Sequence, residues 1–391
     1  MNRSTSANTP LLRPILLAPG PVQLHPEVQN KLALPMIHHR TPEFDLILKN
    51  VLSLLKNLFG TKENVYILSS TGSGGMEALL INVLKPQAKV LAIVSGKFGE
   101  RWADMAEAYG AKVHRLNINW GEAVSPKAIE KYLLENPDTD IVMTQACETS
   151  TATLHPIFEI SQIVKKTKAL FLVDAITALG AMPIKMDEWS IDGLVAGSQK
   201  AIMLPTGVSL VSFSKKAWAV VENNPTPRFY FDLRFEQKAN AKGETYFSSN
   251  VNLIRALEFV LTNIESTGGY DQLFNTIQRR MHYTHAMVEE LGLELYSKNP
   301  SPTVTALKLP QAIDGTKFRE QFEKKYAVTV MGGQDQLKGK VIRIGHMGYI
   351  TDLDLHETTT RLVQCLNDFG LQLDLKKITA ASENFLQSSA L

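Results

Sequence analysis

Leu170-Phe171-Leu172-Val173-Asp174 and Gly193-Leu194-Val195-Ala196-Gly197-Ser198-Gln199-Lys200 read as two apolar strands. The first ends in an acid, the second in a small, polar turn that delivers a lysine. Short runs rich in β-branched residues and closed by turn formers are the mark of buried strands. Ala201-Ile202-Met203-Leu204 follows the lysine directly, so Lys200 is not there for solubility. An amine in partly apolar surroundings has a lowered pKa, which a Schiff-base lysine needs. An acid closing a neighbouring strand is what a pyridinium nitrogen needs. The pair suggests pyridoxal phosphate, although strands ending in Asp are common and most lysines are solvated.

Working outward, the same pattern repeats. Strands are expected at Val65–Ser69, Lys89–Val94, Lys112–Leu116, Ile141–Thr144, Leu170–Val173, Gly193–Ala196 and Val208–Ser212. Helices are expected between them at Gly75–Leu84, Gly99–Tyr109, Pro126–Glu135 and Ile157–Lys166, the third with Ser125 as N-cap and Pro126 at its first position. Such alternation implies a mostly parallel sheet between helices, with ligands beyond the C-terminal ends of the strands. Thr71-Gly72-Ser73, Phe98, Thr149, Asp174 and Lys200 then fall around one site. A long helix from Val251 to about Thr267 leads toward a smaller α+β domain. That domain has strands at Val304–Leu309, Ala327–Val330 and Lys340–Ile344, and helices at Gly315–Lys325 and Asp354–Asp368. The expected division is an arm at 1–13, a large domain at 14–265, a small domain at 266–375 and a flexible tail at 376–391. Residues 14–45 are expected to reach the active site and a dimer interface.

Composition narrows the class. The 391 residues carry 41 basic and 39 acidic side chains, a net charge of +2, so nothing argues for nucleic acid or an anionic membrane. No run approaches the roughly 20 apolar residues of a membrane span. Two cysteines, Cys147 and Cys365, make neither a disulfide framework nor a metal cluster. A cytoplasmic enzyme without a metal is the expectation.

Four further segments bear chemistry. Ser69-Ser70-Thr71-Gly72-Ser73-Gly74-Gly75-Met76-Glu77 is a glycine-rich turn opening a helix, where backbone amides and the helix dipole favour a phosphate. Neither P-loop nor Rossmann spacing is present, and a plain strand-to-helix turn is the alternative. Phe98, flanked by Gly96 and Gly99, can stand over a flat ring or simply be buried. Gln145-Ala146-Cys147-Glu148-Thr149-Ser150-Thr151 is dense in hydroxyls that can reach a phenolate oxygen, or is merely a polar loop. Arg343 interrupts the apolar run Val341-Ile342-Arg343-Ile344-Gly345; it binds a substrate carboxylate in a fork or makes an internal ion pair.

In family order and at family-like spacing, these segments and Leu17-Ala18-Pro19-Gly20-Pro21 resemble the class V aminotransferases, most of all the alanine/serine–glyoxylate group. The resemblance implies the fold of the type I pyridoxal-phosphate enzymes, with a mostly parallel seven-stranded sheet in the large domain and a smaller C-terminal α+β domain. It also implies roles. Lys200 carries pyridoxal 5'-phosphate and moves a proton, while Asp174 pairs with the pyridine nitrogen. Thr71, Gly72, Ser73 and Gln199 hold the phosphate. Phe98 stacks on the ring, Ile176 lines it, and Thr149 faces its hydroxyl. Arg343 binds the substrate carboxylate with the backbone of Gly20. Tyr246 and Ser249 reach the phosphate of a partner subunit, which implies a homodimer with shared sites.

Three positions depart from that pattern. Phe98 stands where relatives often have Trp or His, Ala152 where they usually carry glycine, and Ser249 where threonine is commoner. The Ala152 change predicts a local difference in backbone.

The implied reaction passes an amino group from alanine or serine to glyoxylate or pyruvate. Another amine such as 2-aminoethylphosphonate needs a second basic group, which His38, His39 and Arg40 offer unless they belong to a dimer interface. A lyase, epimerase or desulfurase on the same fold is the further alternative. A desulfurase needs a mobile cysteine, and Cys365 lies in an amphipathic helical pattern instead. A catalytically silent subunit has no use for Lys200, Asp174 and Arg343 together.

Overall fold

In the computed structural model, which describes residues 12–389, seven strands form the central sheet. They are β1 (Val65–Leu68), β2 (Lys89–Val94), β3 (Lys112–Asn117), β4 (Ile141–Gln145), β5 (Leu170–Asp174), β6 (Gly193–Gly197) and β7 (Ser209–Phe213). The spatial order is β1-β7-β6-β5-β4-β2-β3. Only β7 runs antiparallel to its neighbours. The chain returns from β6 through residues 198–208, too short a stretch for the helical crossover that a parallel return requires. All seven strands lie within a residue of where the sequence places them.

Helices cover both faces, and the strand side chains divide between them with period two. Phe171, Val173 and Leu194 join the core under α1 (Pro42–Phe59) and α4 (Val251–Ser266). Leu170, Leu172 and Val195 join the core under α2 (Gly72–Val83) and α3 (Lys97–Ala108). Burial on both faces explains why the strands read as unbroken apolar runs. The edge strand β3 alone alternates with polar residues.

The smaller unit is a four-stranded antiparallel sheet centred on β8 (Val304–Lys308) and β9 (Val341–Gly345). Packed on it are α5 (Gly269–Glu290), α6 (Asp352–Asp368) and α7 (Leu375–Ser388). Ile15 and Leu17 also belong to this core, and Ile15–Leu16 pairs in parallel with Val328–Thr329. The N-terminal segment thus starts on the small unit before crossing to the large one.

Several local expectations are corrected. The tail expected at 376–391 is, as far as residue 389, mostly the helix α7: Asp374 caps it and Ile378 seats it in the small core. Residues 1–11 of the expected arm lie outside the described residues, whereas Arg13 pairs with Asp354 at 2.6 Å. Helices α2 and α3 begin at Gly72 and Lys97, earlier than their sequence signals. The N-cap of α3, Gly96, has no side chain to cap with, and its capping groups come from far along the chain. The Ser125 side chain makes no capping bond, though Pro126 does open its helix. Ala152 has φ +59, the left-handed conformation natural to glycine, held at a steric cost on the order of 1 kcal/mol.

Candidate active site

Three strand ends and a loop from the N-terminus meet at Lys200. β6 ends at Gly197, and the turn through Gln199 delivers a lysine only 8% exposed. Its Nζ donates to the Pro19 carbonyl at 2.6 Å. Ala201, beside it, packs with Val22, Ala181, Ile277 and Met347. Burial lowers the amine to about 8, and the positive charge of Arg343 acts in the same direction.

Asp174 closes β5, the strand next to β6, and is 6% exposed. Its Oδ1 accepts the Ile176 amide at 2.9 Å. Burial raises the carboxyl to about 7, and the nearby Glu148 pushes it the same way. A buried acid of this kind gains by meeting a cation.

Ile176 then reaches the start of α2. A Cβ built on Gly72 would lie 2.8 Å from Ile176 Cδ1, so only glycine lets the two approach. Thr71 caps α2, its Oγ1 accepting the Gly74 amide at 3.4 Å. Ser73 Oγ accepts from Arg101 Nη1 at 3.2 Å, and the Arg101 guanidinium lies 5.1 Å from the centre of the Phe98 ring. A helix N-terminus with a guanidinium beside it is a place for an anion. Arg101 was not singled out in the sequence, although its position one helical turn after Phe98 was an available signal.

Arg343, on β9 of the small unit, is 6% exposed. Its Nε donates to the Gly332 carbonyl and its Nη1 to the Thr149 carbonyl, both at 3.0 Å. No ion pair forms among the described residues, and Nη2 has no protein acceptor there. Burial lowers the guanidinium to about 10. Thr149 Oγ1 also meets Thr177 Oγ1 at 2.7 Å, so one threonine joins the arginine to the loop after Asp174.

Not every expected residue joins this group. Tyr246 stacks on Phe235 at 4.9 Å, and Ser249 Oγ lies 2.5 Å from Thr245 Oγ1. Both line a small cavity with Ser69. Arg40 is committed to Glu244 at 2.9 Å and to the Tyr246 carbonyl, and the rings of His38 and His39 stack on each other.

Residues 23–351 match the family model of the class V aminotransferases. The chain belongs to that family. It is 32% identical to the L-aspartate–glyoxylate aminotransferase of Paracoccus denitrificans over 384 residues, 96% of this chain and 97% of that one. It is 36% identical over 362 residues to a Synechococcus protein named as the small subunit of a soluble hydrogenase, 91% of this chain and 94% of the relative. The crystal structure of the Bacillus subtilis ureidoglycine–glyoxylate aminotransferase superposes with a TM-score of 0.90 at 27% identity, covering 96% of this chain and 98% of its own. The chain is therefore an aminotransferase with the fold-type I architecture, and such enzymes depend in general on pyridoxal phosphate.

The residues present fit that cofactor. The buried amine and buried acid stand on adjacent strands, and an anion site opens α2. The Oε1 atoms of Gln145 and Gln199 are buried without a partner, Gln145 lying in register beside Asp174. No helix among the described residues is long and apolar enough to cross a membrane, and no His, Cys, Asp or Glu cluster there is suited to a metal.

Proposed function

We propose that this aminotransferase moves the amino group of a small amino acid, alanine or serine, to a small 2-oxo acid, glyoxylate or pyruvate. One observation carries the reading: a buried amine and a buried acid at neighbouring strand ends, with the unfilled edge of a buried arginine turned to no protein acceptor. Pyridoxal phosphate, held at Lys200, would supply the electron sink that acidifies the substrate Cα–H bond. The Lys200 amine, lowered to about 8, would move the proton from the substrate Cα to the C4′ carbon of the cofactor, so that the amino group leaves the substrate. Asp174 holds a proton on the pyridine nitrogen by offering it a buried negative charge. Thr71, Gly72, Ser73 and Gln199 take the phosphate with help from Arg101, Ile176 and Phe98 line the ring, and Thr149 faces its hydroxyl. Arg343 grips the substrate carboxylate beside Gly20. The net exchange of an amino group for a keto oxygen needs no external oxidant.

A small side chain is favoured because Arg40, the candidate second cation, is already neutralised by Glu244. The desulfurase alternative is disfavoured by burial of Cys147 and Cys365, which raises both thiols out of the reactive range. Retention of the full constellation disfavours a silent subunit. A homodimer, with Tyr246 and Ser249 serving the partner's site, is supported by exposed Met36, Leu46, Phe229, Tyr230 and Tyr246. Two free, buried cysteines accord with the cytoplasm.

The test is the visible spectrum of the purified protein with pyridoxal phosphate, before and after L-alanine or L-serine, then with glyoxylate or pyruvate. A yellow band that bleaches with the amino acid and returns with the oxo acid supports the reading. A band indifferent to both amino acids moves the substrate to other amines, aminophosphonates first. No band at all overturns it.

A further inference from the structure

Glu148 is wholly buried, yet no arginine, lysine or histidine lies within ion-pair distance of it among the described residues. Its carboxylate is satisfied by amides instead. Oε2 accepts from Phe98 N–H at 3.1 Å and Gly99 N–H at 3.0 Å, while Oε1 accepts from Ser150 N–H at 3.1 Å and Ser150 Oγ–H at 2.6 Å. Ser150 Oγ in turn accepts from Lys97 N–H at 3.0 Å. Lys97, Phe98 and Gly99 are the first three residues of α3, whose own N-cap is a glycine. The first turn of that helix is therefore capped by two side chains about fifty residues away in sequence. A carboxylate there meets both the orphan amides and the positive end of the helix dipole. The approach is close enough that a Cβ on Gly96 would fall 2.4 Å from Ser150 Oγ and 2.5 Å from Glu148 Cγ.

The clamp reaches two parts of the site at once. Phe98 is the ring proposed to line the cofactor, and its own backbone amide is held. Thr149, between the two capping residues, presents its carbonyl to Arg343 Nη1. The negative charge of Glu148 also acts on Arg343, favouring its charged form.

We propose that Glu148 is a positioning residue: its carboxylate fixes the start of α3 and the Thr149 carbonyl together, and so sets the Phe98 ring and the Arg343 fork in a single frame. The inference rests on the function proposed above, because it assigns the cofactor and the substrate carboxylate as the groups those two residues meet.

The test uses Glu148→Gln in the full-length protein. Gln keeps the shape but replaces one acceptor oxygen with a donor, so it cannot serve the α3 amides and Ser150 together. Hydrogen exchange of the apoprotein, read on a peptide spanning 95–102, needs no cofactor. Exchange at least tenfold faster there than in the wild type, with flanking peptides unchanged, is the expected result. In the loaded enzyme, pyridoxal phosphate should bind roughly tenfold more weakly and KM for the amino donor should rise by a similar factor, with a smaller fall in kcat. Glu148→Asp, which keeps the charge, should recover part of the KM. Unchanged exchange, or a loss confined to kcat with KM and cofactor affinity intact, overturns the proposal. Should Glu148→Gln fail to fold, Ser150→Ala decides: it removes the Lys97 contact together with one of the donors to Glu148 Oε1, and unchanged exchange at 95–102 in that variant counts equally against the clamp. A wild-type protein that neither binds pyridoxal phosphate nor transaminates refutes the function, while the exchange data still judge the clamp.

Discussion

Lys200 donates its amine to the Pro19 carbonyl, and the residue after Pro19 leaves no room on the other side. A Cβ on Gly20 would sit 2.5 Å from Lys200 Cδ and 2.7 Å from Nζ, and the φ of Gly20 is +127. The same segment is tied to the strand of Arg343, since the Gly345 amide donates to the Leu17 carbonyl at 2.7 Å. The N-terminal loop thus spaces the amine from the arginine. Gly20→Ala is expected to displace the lysine, lowering cofactor loading and kcat/KM by at least tenfold. The strained backbone alone should cost about 1–3 kcal/mol of stability. Titration with pyridoxal phosphate and a denaturant melt measure the two effects, and wild-type loading in Gly20→Ala contradicts this account of the loop.

The depressed Lys200 amine makes apoprotein stability depend on pH. Its folded value of about 8 lies below the ordinary 10.5, so between these values the unfolded chain binds more protons. Stability therefore rises with pH through that window, and below pH 8 the full penalty applies, about 3 kcal/mol as an upper bound. Lys200→Met removes both penalty and slope: it should abolish transamination, yet raise apoprotein stability at pH 7. Urea unfolding of both proteins at pH 7 and pH 10 makes the comparison. Equal pH slopes in the two proteins count against a buried, neutral-leaning amine.

Asp174 gives the opposite slope. Its folded value of about 7 exceeds the ordinary 3.8, so the folded state binds more protons between them. Its contribution is complete below about pH 4 and is lost as pH rises toward 7. Asp174→Asn should flatten that part of the apoprotein profile while costing activity. Loss of a charged hydrogen bond of about 1.5–3 kcal/mol corresponds to roughly ten- to a hundredfold in rate, more if the electron sink also weakens. A pH series of melting temperatures, paired with kcat, checks both arms.

Strands β1 to β7 were legible because burial on both faces makes each a short apolar run closed by turn formers, and that order is local. The site followed from the strand ends, since parallel topology sends Asp174, Thr149 and Lys200 to the same edge. Helix α1 was missed although Thr41, Pro42 and Gly60 mark both its ends. The start of α3 and the role of Glu148 were not local at all. They depend on contacts such as Glu148 to Gly99, which no short window of sequence contains. Helix α7 escaped because its apolar residues are sparse and become meaningful only against α5 and α6.

Arg343 offers the most direct separation of binding from chemistry. Two of its nitrogens are spent on the Gly332 and Thr149 carbonyls, which fix the plane of the guanidinium, and Nη2 has no protein acceptor among the described residues. Arg343→Ala removes the charge and frees both carbonyls; KM for the amino donor should rise by the equivalent of about 2–4 kcal/mol, while cofactor binding changes little. Arg343→Lys keeps the charge but cannot serve two carbonyls and a carboxylate in one plane, so it should recover only part of the loss. Steady-state KM for alanine or serine, alongside the dissociation constant of pyridoxal phosphate, distinguishes these effects. If Arg343→Ala lowered kcat with KM unchanged, the arginine would be acting on the reacting atoms and not on the substrate carboxylate.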